Sequence, residues 1–315
     1  MNSSVRPEQQ VRDATAYIDA LLNANSWPAR SLLVTVLGDA INPHGGSVWL
    51  GGLIRLAAPL RLNERLVRTA VYRLTREGWL CSRTRGRRSC YSLTPFATAS
   101  FASADQRIYG TLSRAWDGRW RVVMLHDVLP PRVRDRLRRE LLWRGFAALS
   151  STTFAHPSAD LETLTPVLHE LDAGDAVTRL HADALSDDAA PLEQRFRRSA
   201  ELTRIADEYR RFAAAFGPAR ALATPPPEAA FVLRTSLVHN YRRVILQDPA
   251  LPPAMLPDSW PGFAARALTS ELYGRWLAPS EEFLHEHAAG WDGPFTHAPS
   301  LADRLKTTGR RHAPT

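Results

Sequence analysis

An α+β multidomain fold is what this sequence predicts, and three observations predict it. At 315 residues the chain exceeds what one hydrophobic core usually organises. The hydrophobic period changes twice: it is helical through the first 78 residues, alternates between strand-like and helical from about 120 to 181, and is helical again from 195. Positive charge is concentrated in one stretch, with nine arginines against Glu64 and Glu77 between residues 60 and 90. The expected bodies are residues 1–96, 97–185 and 186–315.

Composition narrows the class. Hydrophobic residues make up 44% and charged residues 23%, a balance that argues against disorder as the main theme. No apolar run approaches the roughly 18 residues of a membrane helix, and the polar start MNSSVRPEQQVRD has no apolar signal core. Two cysteines exclude a disulfide scaffold and fit a reducing cytoplasm, where the protein is expected to reside. The net charge of +8 is uneven, because residues 1–95 hold 13 arginines against six acids while the remainder is nearly neutral. A polyanion partner for the basic stretch is the natural reading.

In chain order, residues 8–24 place Val11, Ala14, Ile18, Leu21 and Leu22 on one helical face. Residues 29–41 read as a mostly buried helix, stopped by Pro43 and Gly45-Gly46. Ser47 is expected to cap the next helix, VWLGGLIRLAA. Asn63 then opens NERLVRTAVYRLTREG as N-cap, with Glu64 at the positive end of the helix dipole and Gly78 ending it. Leu66, Val67, Ala70, Val71 and Leu74 form its buried stripe. Arg65, Arg68, Thr69, Tyr72, Arg73 and Arg76 project from the opposite side. Two strand-like runs, Trp79–Arg83 and Ser89–Leu93, make a hairpin carrying Arg83, Arg85, Arg87 and Arg88.

Helix, helix, arginine-studded helix and basic hairpin describe an N-terminal winged helix-turn-helix. A helix entering the major groove needs cationic and hydroxyl side chains on one face, and the wing needs arginines for phosphate or minor groove. A solvated amphipathic helix is the alternative, but the like charge repeats on the hairpin with few acids to neutralise it. Double-stranded operator DNA is the expected partner, and these ten residues are the expected contacts.

Ala97–Trp116 reads as a connecting helix. Trp120–Leu125, Ala147–Phe154 and Ala176–His181 read as strands, separated by helices at Pro130–Trp143 and Leu161–Leu171, an order that suggests a ferredoxin-like α/β sandwich. The last body is a helical domain: Arg195–Phe216, Glu228 to about Leu246, a proline-dense segment, and Phe263–Ala288, with a polar tail after Gly290.

Three long motifs resemble one family. The string SLLVTVLGDAINPHGGSVWLGGLIRLAAPLRLNERLVRTAVYRLTREGWL, continued by GRRSCYSLT, is similar to the opening domain of the phenylacetic acid degradation operon repressors, the PaaX family. RWRVVMLHDVLPPRVRDRLRRELLWRGFAALSSTTFAHP resembles that family's middle domain, itself similar to the small ferredoxin-like nucleases of CRISPR systems. AFVLRTSLVHNYRRVILQDPALPPAMLPDSWPG resembles its C-terminal signature. The resemblance implies a homodimeric transcriptional regulator, mostly repressing aromatic catabolic genes, relieved by a small-molecule effector of the aryl-acyl-CoA class such as phenylacetyl-CoA. One departure is Ser199-Ala200-Glu201, where an aromatic-plus-acid pair is expected.

A thioester effector needs cations for its phosphates and an apolar slot for its acyl end. Phe231, Arg234, His239, Tyr241, Arg242, Arg243 and Trp260 are the candidates, with a purely structural basic helix as the alternative. Two rival functions have residues of their own. Cys81 and Cys90 lie opposite each other if the hairpin turns at Arg85-Gly86, which would make a redox-controlled regulator with arginine-activated thiols. Asp127, beside His126, follows the first strand of the middle body as a metal-binding aspartate does in the nuclease relatives. One aspartate is thin support for metal-dependent hydrolysis, and GxSxG, P-loop and CxxC patterns are missing. His285-Glu286-His287 does not have zincin spacing. No catalytic residue, metal or cofactor is expected.

Overall fold

The computed structural model describes residues 7–110, 116–126, 128–183, 194 and 202–295. It is a mixed α+β protein of several domains, and its chain divides into two compact units. The first unit gathers Met1–Gly110, Arg211–Arg243 and Ala264–Thr315; the second gathers Thr111–Arg210 and Val244–Phe263.

The first unit begins with α1 (Pro7–Ala24), which buries Ala14, Leu21 and Leu22, and α2 (Ala29–Val36), which buries Leu32, Leu33 and Val36. The second helix widens into a π-turn over Leu37–Ile41 and tightens to a 3-10 turn over Asn42–His44. Gly45, at φ 86, then reverses the chain in a region that disfavours any side chain. The expected N-cap at Ser47 is not formed. Ser47–Trp49 is instead strand β1, and α3 starts three residues later as Leu50–Ala57. A sheet partner 43 residues away in sequence decides this, because β1 pairs antiparallel with Arg88–Leu93, Trp49 opposite Cys90.

The next helix, α4 (Glu64–Arg76), has the expected cap: Asn63 accepts a hydrogen bond from the Leu66 backbone N–H at 3.0 Å. Val67, Ala70, Val71 and Leu74 are buried, but Leu66 is 43% exposed. It lies one position, about 100°, round the helix from Val67 and so falls off the stripe. Gly78 at φ 76 ends the helix, with its N–H on Thr75 O and the Trp79 N–H on Leu74 O. Strands β2 (Leu80–Arg85) and β3 (Arg88–Leu93) follow, giving a sheet in the order β1-β3-β2. Helix α5 (Pro95–Ile108) is capped by Thr94 and stops well before Trp116.

The second unit runs β4 (Trp120–Leu125), α6 (Pro131–Trp143), β5 (Ala147–Ala148), β6 (Thr153–His156), α7 (Thr165–Glu170) and β7 (Val177–Ala182). Its antiparallel sheet has the order β5-β6-β4-β7. The single strand expected at Ala147–Phe154 is two, because Ser150 Oγ accepts the backbone N–H groups of Thr152 and Thr153 and folds the segment into a turn. Val123, Leu125, Phe154 and Val177 share a core with Leu137, Leu141, Leu164 and Leu168. A separate cluster joins Trp120, Ala147 and Ala155 to Leu251 and Met255 of the proline-dense segment. Buried His156 ties the two, its Nδ1 accepting the Ser158 and Ala159 N–H groups and its Nε2 donating to Pro249 O.

Helices α8 (Leu202–Phe216), α9 (Pro227–Ile245) and α10 (Pro261–His287) complete the chain. Residues 195–201, including the Ser199-Ala200-Glu201 departure, lie outside the described residues. Beyond α10, β8 (Ala289–Gly290) and β9 (Gly293–Pro294) form a small hairpin where the sequence predicts a tail after Gly290. No described helix is long and apolar enough to cross a membrane.

Candidate nucleic-acid interface

Helix α4 and the β2–β3 hairpin adjoin in sequence and belong to one unit, separated only by the Glu77–Trp79 turn. Arg65, Arg68, Thr69, Tyr72, Arg73 and Arg76 are all exposed on α4, and Arg83, Arg85, Arg87 and Arg88 are all exposed on the hairpin. Tyr72, at 63% exposure, is a large aromatic side chain left uncovered among the described residues. Among the described residues Arg68 alone of these arginines has a carboxylate partner, Glu64 at 2.6 Å, and both are more than half exposed. Thr69 Oγ1 donates back to Arg65 O. The face is therefore a cationic surface with a hydroxyl and an aromatic ring inside it.

The hairpin has a support that sequence reading missed. Trp291, between β8 and β9, lies under the Arg83 guanidinium, 4.7 Å from its carbon to the ring centroid, with Arg85 at 5.9 Å. Trp291 stacks on Trp49 at 5.6 Å, its backbone N–H donates to Ser47 Oγ, and Trp49 Nε1 donates to Gly290 O. Nothing local marks a tryptophan some 200 residues downstream as a platform for these arginines. A cleft of about 630 Å³ lies in the same unit, lined by Arg55, Arg68, Arg87 and Arg88 together with residues 285–289.

The cysteine pair is not opposed. The turn falls at Gly86-Arg87, one residue later than Arg85-Gly86, so Cys81 faces Ser92 and Cys90 faces Arg83. Gly86 has φ 61, and a two-residue hairpin turn of the II′ kind places its glycine at the first central position. Both thiols are free, Cys81 exposed and Cys90 buried. Burial pushes the Cys90 thiol up and outweighs the lowering by Arg83, the reverse of activation. Asp127 lies outside the described residues, and His126 is hydrogen-bonded through Nε2 to Thr178 Oγ1 at 2.9 Å.

The residues read as effector contacts occupy several places, and none lines the cleft. Phe231 is buried against Phe283, and Tyr241 against Phe212. Arg234 is 1% exposed and bridges Asp39, at 2.8 Å, and Glu281. Those acids and Tyr273 outweigh a burial that alone would lower it, and hold the guanidinium firmly charged. His239 is buried, bonded to Thr35 Oγ1 at 2.8 Å, and driven down to about 3 by burial first and then by Arg242 and Arg243. Arg242 is half-buried, donates to Ser31 O and Oγ, and is lowered to about 10, mainly by burial. Arg243 is exposed. Trp260 belongs to the second unit, beside Tyr209.

A further cluster escaped the sequence reading. His44 Nε2 donates to Glu281 Oε2 at 2.8 Å, and His285 Nε2 stands 4.0 Å from the same oxygen. Glu281 and His285 are one helical turn apart, a spacing visible in the sequence, but His44 arrives from the turn after α2.

Comparison with known proteins assigns all three stretches. Residues 28–96 match the description PaaX-like protein, residues 113–194 the PaaX protein central Cas2-like domain, and residues 201–286 the PaaX-like protein C-terminal domain. The chain is 35% identical over 276 residues to the transcriptional repressor PaaX of Escherichia coli strain K12, spanning 86% of this chain and 87% of that protein. The solved structure of the uncharacterized protein Rv0674 from Mycobacterium tuberculosis superposes with a TM-score of 0.54 at 25% identity, over 82% of this chain and 99% of the other. With its three stretches matched in order, this chain belongs to the PaaX family.

Proposed function

We propose that the protein is a DNA-binding transcriptional repressor whose N-terminal body is a winged helix-turn-helix. The observation that carries this is the convergence of ten exposed side chains on α4 and the adjoining hairpin, eight of them arginines. Helix α4 docks in the major groove, where arginine reads guanine edges through a bidentate fork, and the hairpin lies along the backbone as the wing. The relative named as a transcriptional repressor supports the direction of the effect. The middle body, a βαββαβ order with β4 between β6 and β7, is read as ferredoxin-like.

The repressor acts in the cytoplasm as a homodimer on a palindromic operator of aromatic, phenylacetate-type catabolic genes. An aryl-acyl-CoA such as phenylacetyl-CoA releases it. Release requires that the ligand bind the DNA-incompetent state more tightly, since a ligand with equal affinity for both states shifts nothing. The deciding experiment is binding of the purified protein to its own upstream DNA, with and without phenylacetyl-CoA, with free phenylacetate and CoA as controls. Tight binding released only by the thioester is expected; equal affinity for upstream and random DNA would remove the repressor reading. With about seven phosphates neutralised, log affinity falls against log salt with a slope of about −6.

A further inference from the structure

We propose that His44, Glu281 and His285 form a binding site for one divalent transition-metal ion of the zinc type, with His44 Nε2, Glu281 Oε2 and His285 Nε2 as ligands and water in the fourth position. One ligand atom from each residue lies within 4.8 Å of the others, and Glu281 Oε2 is 2.8 Å from His44 Nε2 and 4.0 Å from His285 Nε2. Zinc bonds of about 2.0–2.1 Å at tetrahedral angles put donors about 3.3 Å apart, so the widest gap closes by about 1.5 Å. His285 can supply that movement, because its side chain is 30% exposed whereas that of His44 is fully buried.

The chemistry of the set is selective. Two imidazoles and one carboxylate suit zinc and its neighbours; magnesium and calcium take mostly oxygen ligands. The surroundings hold the ligands in place. Arg234 Nη1 donates to Glu281 Oε1, the carboxylate oxygen the ion does not use, and pairs in turn with Asp39. Asp39 accepts hydrogen bonds from Tyr109 and Tyr273 at 2.6 and 2.9 Å. The His44 ring stacks on Phe295 at 4.8 Å and meets His285 edge-on at 5.3 Å. Such outer partners orient metal ligands and raise their affinity.

Charge also favours the ion. With both imidazoles neutral, as ligation requires, Asp39, Glu281 and Arg234 together carry one negative charge in a largely buried cluster. Access runs through His285, which lines the 630 Å³ cleft, because the His44 side chain is fully buried. Bound there, the ion would fasten the Asn42–His44 turn, three residues ahead of β1, to the C-terminal turn of α10.

The test is calorimetric titration of zinc chloride into the full-length protein after chelator stripping, repeated with cobalt for its visible absorption. One ion per chain is expected, with the absorption of tetrahedral cobalt. Excess zinc at a hundredfold its dissociation constant should shift the unfolding equilibrium about 100-fold toward the native state. His285→Ala and His44→Gln should each weaken binding at least tenfold, while the neighbouring His287→Ala should not. Should His44→Gln fail to fold, His285→Ala decides alone, since that side chain is partly exposed. Absence of saturable binding to the wild-type protein overturns the proposal. So does unchanged affinity in His285→Ala, which would place the ion elsewhere, for instance on the histidines after residue 295.

Discussion

Arg234 illustrates how a residue that reads as a ligand contact serves as a tie. It is nearly inaccessible and balances two carboxylates from separate parts of the chain, Asp39 in the π-turn and Glu281 in α10. Replacing it with methionine leaves two buried negative charges facing each other, and about 3–5 kcal/mol of stability should be lost in urea unfolding. Adding Asp39→Asn should recover part of that loss. His239 gives a second prediction. Its folded value, about 3, lies far below its ordinary value of 6.5, so the unfolded chain takes up a proton that the native chain refuses. Stability should fall as pH drops below about 6.5, by up to about 1.4 kcal/mol per pH unit, and His239→Gln should flatten that slope relative to wild type. On α4, Arg73→Ala should cost about 1–3 kcal/mol on the operator and relax preference at one base pair, whereas Arg87→Ala should weaken operator and random DNA alike. Equal losses on both DNAs for both variants would remove that division of roles.

At the scale of elements, the β2–β3 hairpin depends on a distant partner. Trp291 lies under Arg83 and Arg85 and stacks on Trp49, so the arginines are held rather than left to sample rotamers freely. Trp291→Ala removes contacts worth about 0.5–1 kcal/mol each at exposed sites, and DNA affinity should fall about two- to fivefold with the fold intact by circular dichroism. Elements with strong local signals were legible in the sequence. Asn63 and Gly78 bracket α4 through chemistry contained within a few residues, and both act as their sequence context dictates. Where a distant partner decides, the local signal misleads. Ser47 has the character of an N-cap, yet its strand is claimed by β3 and its hydroxyl by the Trp291 N–H. The Cys81–Cys90 register turned on one residue, because Gly86 takes the first central place of the turn rather than the second.

At the scale of the molecule, the N-terminal helices and sheet do not own their core. Leu33, Leu53, Leu56 and Val71 share one cluster with Phe231, Val232, Phe283, Leu284 and Phe295. Residues 1–96 expressed alone should therefore expose that apolar surface and unfold at markedly lower urea than the full chain, with weakened near-ultraviolet dichroism. A fragment as stable as the whole would show that the C-terminal helices add nothing to this core. The same sharing explains why α9 reads as a basic and aromatic helix but is buried on nearly every side from Ala230 to His239. Arg234, His239 and Arg242 find partners inside the unit, in Asp39 and Glu281, Thr35, and Ser31.

By itself the sequence determined the kind of most elements and the basic α4 and hairpin, while the family was read from three long motifs. The elements rest on periodicity, capping, turn chemistry and charge, which act over a few residues and leave a local record. Only the tertiary structure decided that Ser47 starts a strand, that Arg234 is an internal counter-ion, that Trp291 supports the hairpin arginines, and that His44 meets Glu281 and His285. Each of these joins residues some 40 to 250 positions apart. A pairing of that kind is chosen by which surfaces bury each other, and no window of local sequence contains both of its halves.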